Sequence, residues 1–181
     1  IPKKVPLYNN PEMSPYNTLD EIGEDEESDP YYFGYSLIES LKNTNHEISS
    51  HTFSHYYCLE EGQNKETFEV DLIKAIEVAK EKKIEIQSII FPRNQVNSEY
   101  IEICKENGIS SFRGTEKAWF YRSERLNDES LLKRLFRLMD SYMNISGFNI
   151  YTYDEVASSY PFNIPSSAFL RPYNKKLAFL D

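Results

Sequence analysis

The sequence predicts an α/β fold in which parallel strands alternate with helices. Segments whose apolar residues have helical spacing alternate along the chain with short, nearly continuous apolar runs, and the links between them are short. This alternation is typical of βαβ units and a parallel sheet. The chain has 181 residues, whereas a closed β/α barrel takes on the order of 200 residues or more. We therefore expect an incomplete β/α barrel.

Four segments are predicted to be helical. The first begins at Tyr35, the second covers about Thr67–Lys82, the third covers about Ser98–Asn107, and the fourth follows Asn127-Asp128-Glu129. Gly108 suits a left-handed stop after the third helix. The fourth helix is expected to be capped by the polar residues before it and to have a strongly apolar side. That side carries Leu131, Leu132, Leu135, Leu138 and Met139.

Four strands are predicted between these helices. They are His46–Ser50, Ile86–Phe91, Ile109–Arg113 and Phe148–Tyr151. The second is an apolar run ended by Pro92, as expected for a buried parallel strand. We treat residues 1–181 as a single domain, with an irregular acidic segment 1–32, a core 33–153 and an irregular tail 154–181.

Composition limits the classes of partner. The net charge is −9 and there is no run rich in Lys or Arg, so we expect no nucleic-acid partner. The apolar runs are far shorter than the roughly 20 residues that cross a bilayer, so no transmembrane segment is expected. Cys58 and Cys104 lack the spacing of a zinc ribbon or a disulfide framework. Composition leaves the oligomeric state open.

The three histidines all fall within residues 46–55. The four-residue spacing of His51 and His55 would place two imidazoles on one side of a helical turn, where both can bind one cation. The pair also follows a predicted strand, and strand ends are where β/α folds assemble their sites. A pair of half-buried, hydrogen-bonded histidines is the alternative. Thr52 stands where a metalloprotease H-E-x-x-H motif has its Glu, so that class is excluded.

The whole string His46-Glu47-Ile48-Ser49-Ser50-His51-Thr52-Phe53-Ser54-His55 resembles the metal-binding motif of the polysaccharide deacetylases, carbohydrate esterase family four. That motif reads roughly G-H-E-I-G-S-H-[ST]-x-x-H, and Asn45 and Ser49 replace its glycines. The resemblance implies a β/α barrel of the polysaccharide deacetylase type. It also implies a divalent metal such as zinc, held by His51, His55 and an upstream aspartate.

The activity implied by this resemblance is hydrolysis of N- or O-linked acetyl groups on a polysaccharide by metal-activated water. A second aspartate would be the general base and a distant histidine the general acid. Thr52 would sit between the ligands, and Glu47 and His46 beside them as structural support. The family implies a bacterial protein, and the cytoplasm and the cell envelope both remain open as its location.

The resemblance also suggests further site residues downstream. After the second family strand an Arg orients the catalytic aspartate, and Arg93, between Pro92 and Asn94, is the candidate for that role. Pro92 and Asn94 are then candidate substrate-binding residues. Trp119, the one Trp in the chain, is a candidate for the wall of the sugar site. The alternatives are a surface arginine at a strand end and a tryptophan that only packs.

Two family motifs have no counterpart here: no T-F-D-D precedes His51, and no His follows His55. The resemblance therefore covers roughly residues 33–121 and omits the expected base and acid. We expect a fragment of a longer enzyme, and whether the fragment is active by itself stays open. The alternative is a relative that has lost catalysis. Two further hypotheses are a non-catalytic carbohydrate-binding or assembly module on the same fold and an unrelated α/β domain whose histidines are structural.

Overall fold

A computed structural model describes residues 1–167 and Lys175. The helices are α1 (Tyr35–Lys42), α2 (Lys65–Glu81), α3 (Ile101–Glu106), α4 (Leu131–Met143) and α5 (Tyr153–Val156). The strands are β1 (Ser88–Ile89), β2 (Ser111–Phe112) and β3 (Phe162–Asn163). Single turns of 3-10 helix join several of these elements. The protein is thus a mixed helix and sheet structure, as the sequence predicts.

The sheet is parallel and has the strand order β1-β2-β3. Ser50 adds a single-residue parallel bridge on the free side of β1, where its amide donates to the Ser88 carbonyl at 2.9 Å and its carbonyl accepts from the Ile90 amide at 2.8 Å. Four parallel segments therefore lie side by side. Within residues 1–167 they form an open sheet and do not close into a barrel.

Local sequence signals explain where the main helices begin and end. Asn64 and Thr67 form a reciprocal capping box at the start of α2, which satisfies two backbone donors. Helix α3 is followed by Gly108, whose φ of +85° is the left-handed conformation that glycine adopts without strain. Helix α4 is capped by Ser130, whose side chain accepts from the Lys133 amide. The predicted cap at Asn127-Asp128-Glu129 is therefore wrong by one residue.

The core lies between α2 and the sheet. Phe68 and Leu72 of α2 are fully buried against Ile89 of β1 and Phe112 of β2. The Phe68 ring stacks on Tyr100 with the ring centroids 4.6 Å apart, an offset geometry that adds to the area buried. Both cysteines are free and buried. This core positions the carboxyl ends of the parallel segments at one edge of the sheet.

Several predicted strands differ from the observed ones. The segment 46–50 contributes only the bridge at Ser50, and Phe148–Tyr151 is not a strand. Phe148 and Ile150 are instead 80% and 81% exposed, because no neighbouring strand pairs with this segment in the part of the chain described. Conversely, β3 lies in the tail that was predicted to be irregular. It is paired with β2 through the Phe162 amide and the Ser110 carbonyl at 2.8 Å.

Helix α4 turns its predicted apolar side largely outward. Leu131 and Leu132 are 78% and 54% exposed, whereas Lys133 is buried. The Lys133 ammonium is 2.5 Å from a Glu124 carboxylate oxygen and donates to the Arg122 carbonyl. This ion pair of a buried lysine with an exposed glutamate, together with the packing of Phe136 on Trp119 and Phe120, sets the rotation of the helix.

The longest helix in the described part of the chain is α2, with 17 residues. No helix within residues 1–167 combines the length and apolarity that a membrane span requires.

The N-terminal segment docks against the loop before α2. The Leu7 amide donates to the Gly62 carbonyl at 2.8 Å, and the Tyr8 ring packs against Tyr56 and Tyr57. Gly62 has a φ of +94°, and a Cβ added there would lie 1.8 Å from the Leu7 carbonyl oxygen. The close approach of these two segments therefore requires glycine.

We predict that Gly62→Ala lowers the free energy of unfolding by about 2 kcal/mol or more, because it combines backbone strain with a steric clash. Urea denaturation followed by circular dichroism measures this. Gly108→Ala is the matched control, because Gly108 has a similar φ of +85° but no atom within 4 Å of an added Cβ. Equal destabilisation by the two substitutions would contradict the docking argument.

Candidate functional site

The predicted histidine pair lies at the edge of the sheet where the parallel segments end. His51 directly follows the Ser50 bridge, and Arg93 follows β1 after a short link. Parallel strands bring their carboxyl ends to the same edge, so residues distant in the sequence converge there. This edge is the candidate functional site.

His51 and His55 are brought together. Their ring centroids are 4.9 Å apart with an angle of 67° between the ring planes. At this separation one nitrogen of each ring can reach the same ion at the about 2.0–2.1 Å of a zinc–imidazole bond. Both residues are exposed at the surface. The pair can therefore receive an ion from solution.

A hydrogen bond orients the His51 ring. Its Nδ1 lies 2.7 Å from the Ile90 carbonyl oxygen. Because a carbonyl can only accept, Nδ1 carries the proton and donates, which leaves the Nε2 lone pair available to a metal. Metal-ligating histidines commonly have such a partner on the second nitrogen. The carbonyl belongs to the residue after β1, so the sheet itself sets the ring orientation.

The pair is not on a helical turn, as the four-residue spacing predicts; residues 51–55 form an irregular loop. Thr52 and His55 have φ of +66° and +54°, a left-handed conformation that excludes a right-handed helix here. The Thr52 hydroxyl accepts from the Tyr56 amide at 2.7 Å and donates to the His51 carbonyl at 2.6 Å. Thr52 thus closes the loop that brings the two rings together.

Asp71 on α2 anchors this loop from beneath. It is 1% exposed, and its carboxylate accepts from the Phe53 amide at 2.8 Å, from the Ser54 amide at 3.2 Å and from the Ser54 hydroxyl. Desolvation raises the pKa of Asp71, and these hydrogen bonds oppose the rise. The buried carboxylate therefore accepts from loop amides that would donate to backbone carbonyls if the loop were helical.

Sequence reasoning did not find Asp71, although a signal was present. Helical spacing places it on the same side of α2 as Phe68 and Leu72, both of which are buried. An acidic residue within an apolar stripe is rarely buried without a specific partner. Here the partners are loop amides that sequence spacing does not reveal.

Two of the remaining motif residues, Glu47 and Ser49, contact β1. The Ser88 hydroxyl donates to a Glu47 carboxylate oxygen at 2.5 Å and lies 2.5 Å from the Ser49 hydroxyl. Glu47 therefore joins the segment before Ser50 to β1. His46 is exposed and makes no ring contact with the pair in the described part of the chain.

The environment of His55 favours its neutral form. Partial desolvation first, and then the neighbouring His51, lower the pKa of the His55 imidazole. The Tyr57 ring, whose centroid is 5.0 Å away, covers one side of it. The positive charge of Arg93 lowers the pKa of His55 further. A neutral imidazole is the form that binds a metal.

The loop after β1 contains the other predicted residues. Arg93 and Asn94 both have left-handed φ, +53° and +54°. With Thr52 and His55 they make four of the seven non-glycine residues of positive φ in the described chain, and such strain concentrates at functional sites. Asn94 accepts from an Arg113 guanidinium nitrogen at 2.6 Å. Pro92 is fully buried, so its ring offers no surface to a ligand.

Trp119 lies on a 3-10 turn away from the pair. It is 45% exposed, and its ring packs edge-on against Phe120 and Phe136, with centroids 5.7 and 5.4 Å away. The Trp119 ring is therefore packed on one side and exposed to solvent on the other.

The predicted role of Arg93 is to orient a catalytic aspartate, and the predicted third metal ligand is also an aspartate. Neither aspartate is identified at the site in the described part of the chain. Among the described residues, no group of three or more His, Cys, Asp or Glu side chains is arranged to hold a metal. Within residues 1–167 the pair brings two imidazoles together, and the upstream aspartate implied by the resemblance has no counterpart beside them.

Comparison with known proteins does not place the chain in a family. No family model, no curated protein and no solved structure matches it.

Removal of the Asp71 carboxylate should loosen the histidine loop. We predict that Asp71→Ala lowers the free energy of unfolding by about 3 kcal/mol, because buried donors left without an acceptor cost about 1–3 kcal/mol each. Urea denaturation measures the effect. Asp71→Asn keeps one acceptor oxygen and should lose less. An unchanged free energy of unfolding in Asp71→Ala would contradict the anchoring role.

The lowered pKa of His55 has a consequence for the metal-free protein. Between the ordinary histidine pKa of about 6.5 and the lowered native value, the unfolded chain binds a proton that the native protein does not. This contribution to stability is complete above about pH 6.5 and is lost as the pH falls through that window. Denaturation midpoints at pH 7.5, 6.5 and 5.5 measure it. His55→Gln should weaken the dependence of the denaturation midpoint on pH. An unchanged pH dependence in this variant would contradict the role of His55.

Proposed function

We propose that the protein belongs to a metal-dependent polysaccharide deacetylase, built on a β/α barrel of the type found in carbohydrate esterase family four. The observation that carries the proposal is the convergence of His51 and His55 at the carboxyl edge of a parallel sheet, with their ring centroids 4.9 Å apart. Because their sequence context resembles the family motif, we interpret the two imidazoles as metal ligands. The open parallel sheet is compatible with part of such a barrel.

His51 and His55 would hold a divalent metal, with zinc suited to two imidazole ligands. When bound, the metal supplies a water of lowered pKa and polarises the acetyl carbonyl. The chain's own residues do the positioning. The Ile90 carbonyl holds the His51 tautomer, and Asp71 and Thr52 maintain the loop. The positive charge of Arg93 beside the pair would help to hold an anionic base in place.

A second candidate is a non-catalytic carbohydrate-binding module on the same fold. It is favoured by the lack of a three-ligand metal group in the described part of the chain. The two candidates share the polysaccharide partner and differ in the hydrolytic step.

Zinc calorimetry on the purified chain tests the metal site. We expect one zinc per chain, with binding lost in His51→Ala and in His55→Ala because each removes one of two ligands. His46→Ala is the matched control, since it removes the remaining histidine, which lies outside the pair. Zinc binding that survives both substitutions, or no zinc binding at all, would contradict the proposed metal site.

Acetate release then separates the two candidate functions. The zinc-loaded chain is incubated with N-acetylglucosamine oligomers and with an O-acetylated polysaccharide. We expect acetate release that the His51→Ala variant does not show. Zinc binding without acetate release would contradict catalysis by this chain and favour the non-catalytic module.

A further inference from the structure

A cleft of about 510 Å³ lies at the same edge of the sheet as the histidine pair. Its size is within the about 300–1,000 Å³ typical of ligand sites. Arg93 and Asn94 from the loop after β1 form one end of it. Arg93 follows β1 at the carboxyl edge of the sheet, which is the edge where His51 follows the Ser50 bridge. We call it the arginine cleft, after the five arginines that line it: Arg93, Arg113, Arg122, Arg125 and Arg137.

Two of these arginines are neutralised within the protein. Arg125 is 2.5 Å from a Glu61 carboxylate oxygen, and Arg137 pairs with Glu129. Glu124, which also lines the cleft, is 2.5 Å from the Lys133 ammonium. These pairs contribute no excess charge to the cleft.

Three arginines are left without a carboxylate. Within residues 1–167, no ion pair involves Arg93, Arg113 or Arg122. The opposing charge inside the cleft is Glu116, which is buried and makes no hydrogen bond or ion pair in the same range. Three guanidinium groups therefore face one carboxylate. This local excess of positive charge occurs in a chain whose net charge is −9.

One of the unpaired guanidiniums, that of Arg113, is held in place by the loop after β1. Arg113 donates to the Asn94 side chain at 2.6 Å, and the Ser123 hydroxyl donates to the Asn94 carbonyl. Asn94 thus links the loop after β1 to the segments that carry Arg113 and Arg122. Guanidinium groups present paired donors that match the oxygens of a carboxylate or a phosphate.

We propose that the arginine cleft binds the oxyanion of an acidic sugar unit, a carboxylate or a phosphate, in the polysaccharide. This inference rests on the proposed function for the identity of the ligand as a sugar. Glu116 then accepts from a hydroxyl group of the same unit, because it is the one carboxylate of the cleft that makes no hydrogen bond or ion pair within residues 1–167. The substrate class is an anionic polysaccharide, positioned with its acidic unit beside the metal site.

Chemical-shift titration of the metal-free chain tests the cleft by itself. D-glucuronate, D-glucose 6-phosphate and D-glucose are titrated in parallel, and amide shifts of residues 93–94, 113–116 and 121–125 are followed. We expect saturable shifts with an anionic sugar and none with glucose. A response to glucuronate alone identifies a carboxylate, and a response to glucose 6-phosphate alone identifies a phosphate. No saturable shift with either anion, or an equal response to glucose, overturns the proposal.

Substitutions assign the effect to the unpaired arginines. Arg113→Gln and Arg122→Gln should each weaken binding of the responding sugar by about tenfold, as expected when one charge-assisted hydrogen bond is lost. Arg134→Gln is the matched control, because Arg134 is an exposed arginine outside the cleft. Equal weakening by Arg134→Gln would indicate a general charge effect and overturn the site.

The His51→Ala variant makes the two proposals separable. It removes a metal ligand but leaves the arginine cleft intact, so sugar binding should persist in it. Loss of zinc binding with retained sugar binding supports both proposals. Zinc binding in a chain whose cleft does not respond to either anion overturns the cleft alone.

Discussion

The candidate site depends on one buried carboxylate. Asp71, at 1% exposure, accepts hydrogen bonds from two consecutive amides of the loop that joins His51 to His55. A loop with left-handed residues cannot satisfy its own amides as a helix does, so the acceptor must come from another element. Helix α2 supplies it, and the same helix supplies Phe68 and Leu72 to the core. Stability of the fold and placement of the histidines are thereby coupled.

Elements whose burial follows a local period could be predicted from the sequence. Helix α2 is an example, since its bounds agree with the predicted segment to within two residues at the N-terminus and one at the C-terminus. Strand β3 could not, because its two residues have no alternating pattern and are ordered by pairing with β2. The same distinction holds for the site. The histidine pair follows from a local motif, whereas Asp71 and the arginine cleft arise from contacts between distant segments.

The two parts of the candidate site differ in kind. The pair is made of two imidazoles close together, one of them oriented by a backbone carbonyl. The cleft is lined by positive charges, one of which, Arg113, is oriented by Asn94. Arg93 lines the cleft and follows β1 at the edge of the sheet where His51 follows the Ser50 bridge. Under the proposed function, the cleft would bind the acidic unit of a glycan and the pair would hold the metal that acts on its acyl group.

The single bridge at Ser50 also determines which length changes the chain can tolerate. Ser50 is buried and His51 is exposed, because neighbouring residues of an extended segment face opposite sides of a sheet. An extra residue among 43–49 could be absorbed in the irregular stretch before the bridge. An extra residue between Ser50 and His51 would turn the imidazole toward the core and away from the Ile90 carbonyl. Insertions should therefore be found on one side of Ser50 and avoided on the other.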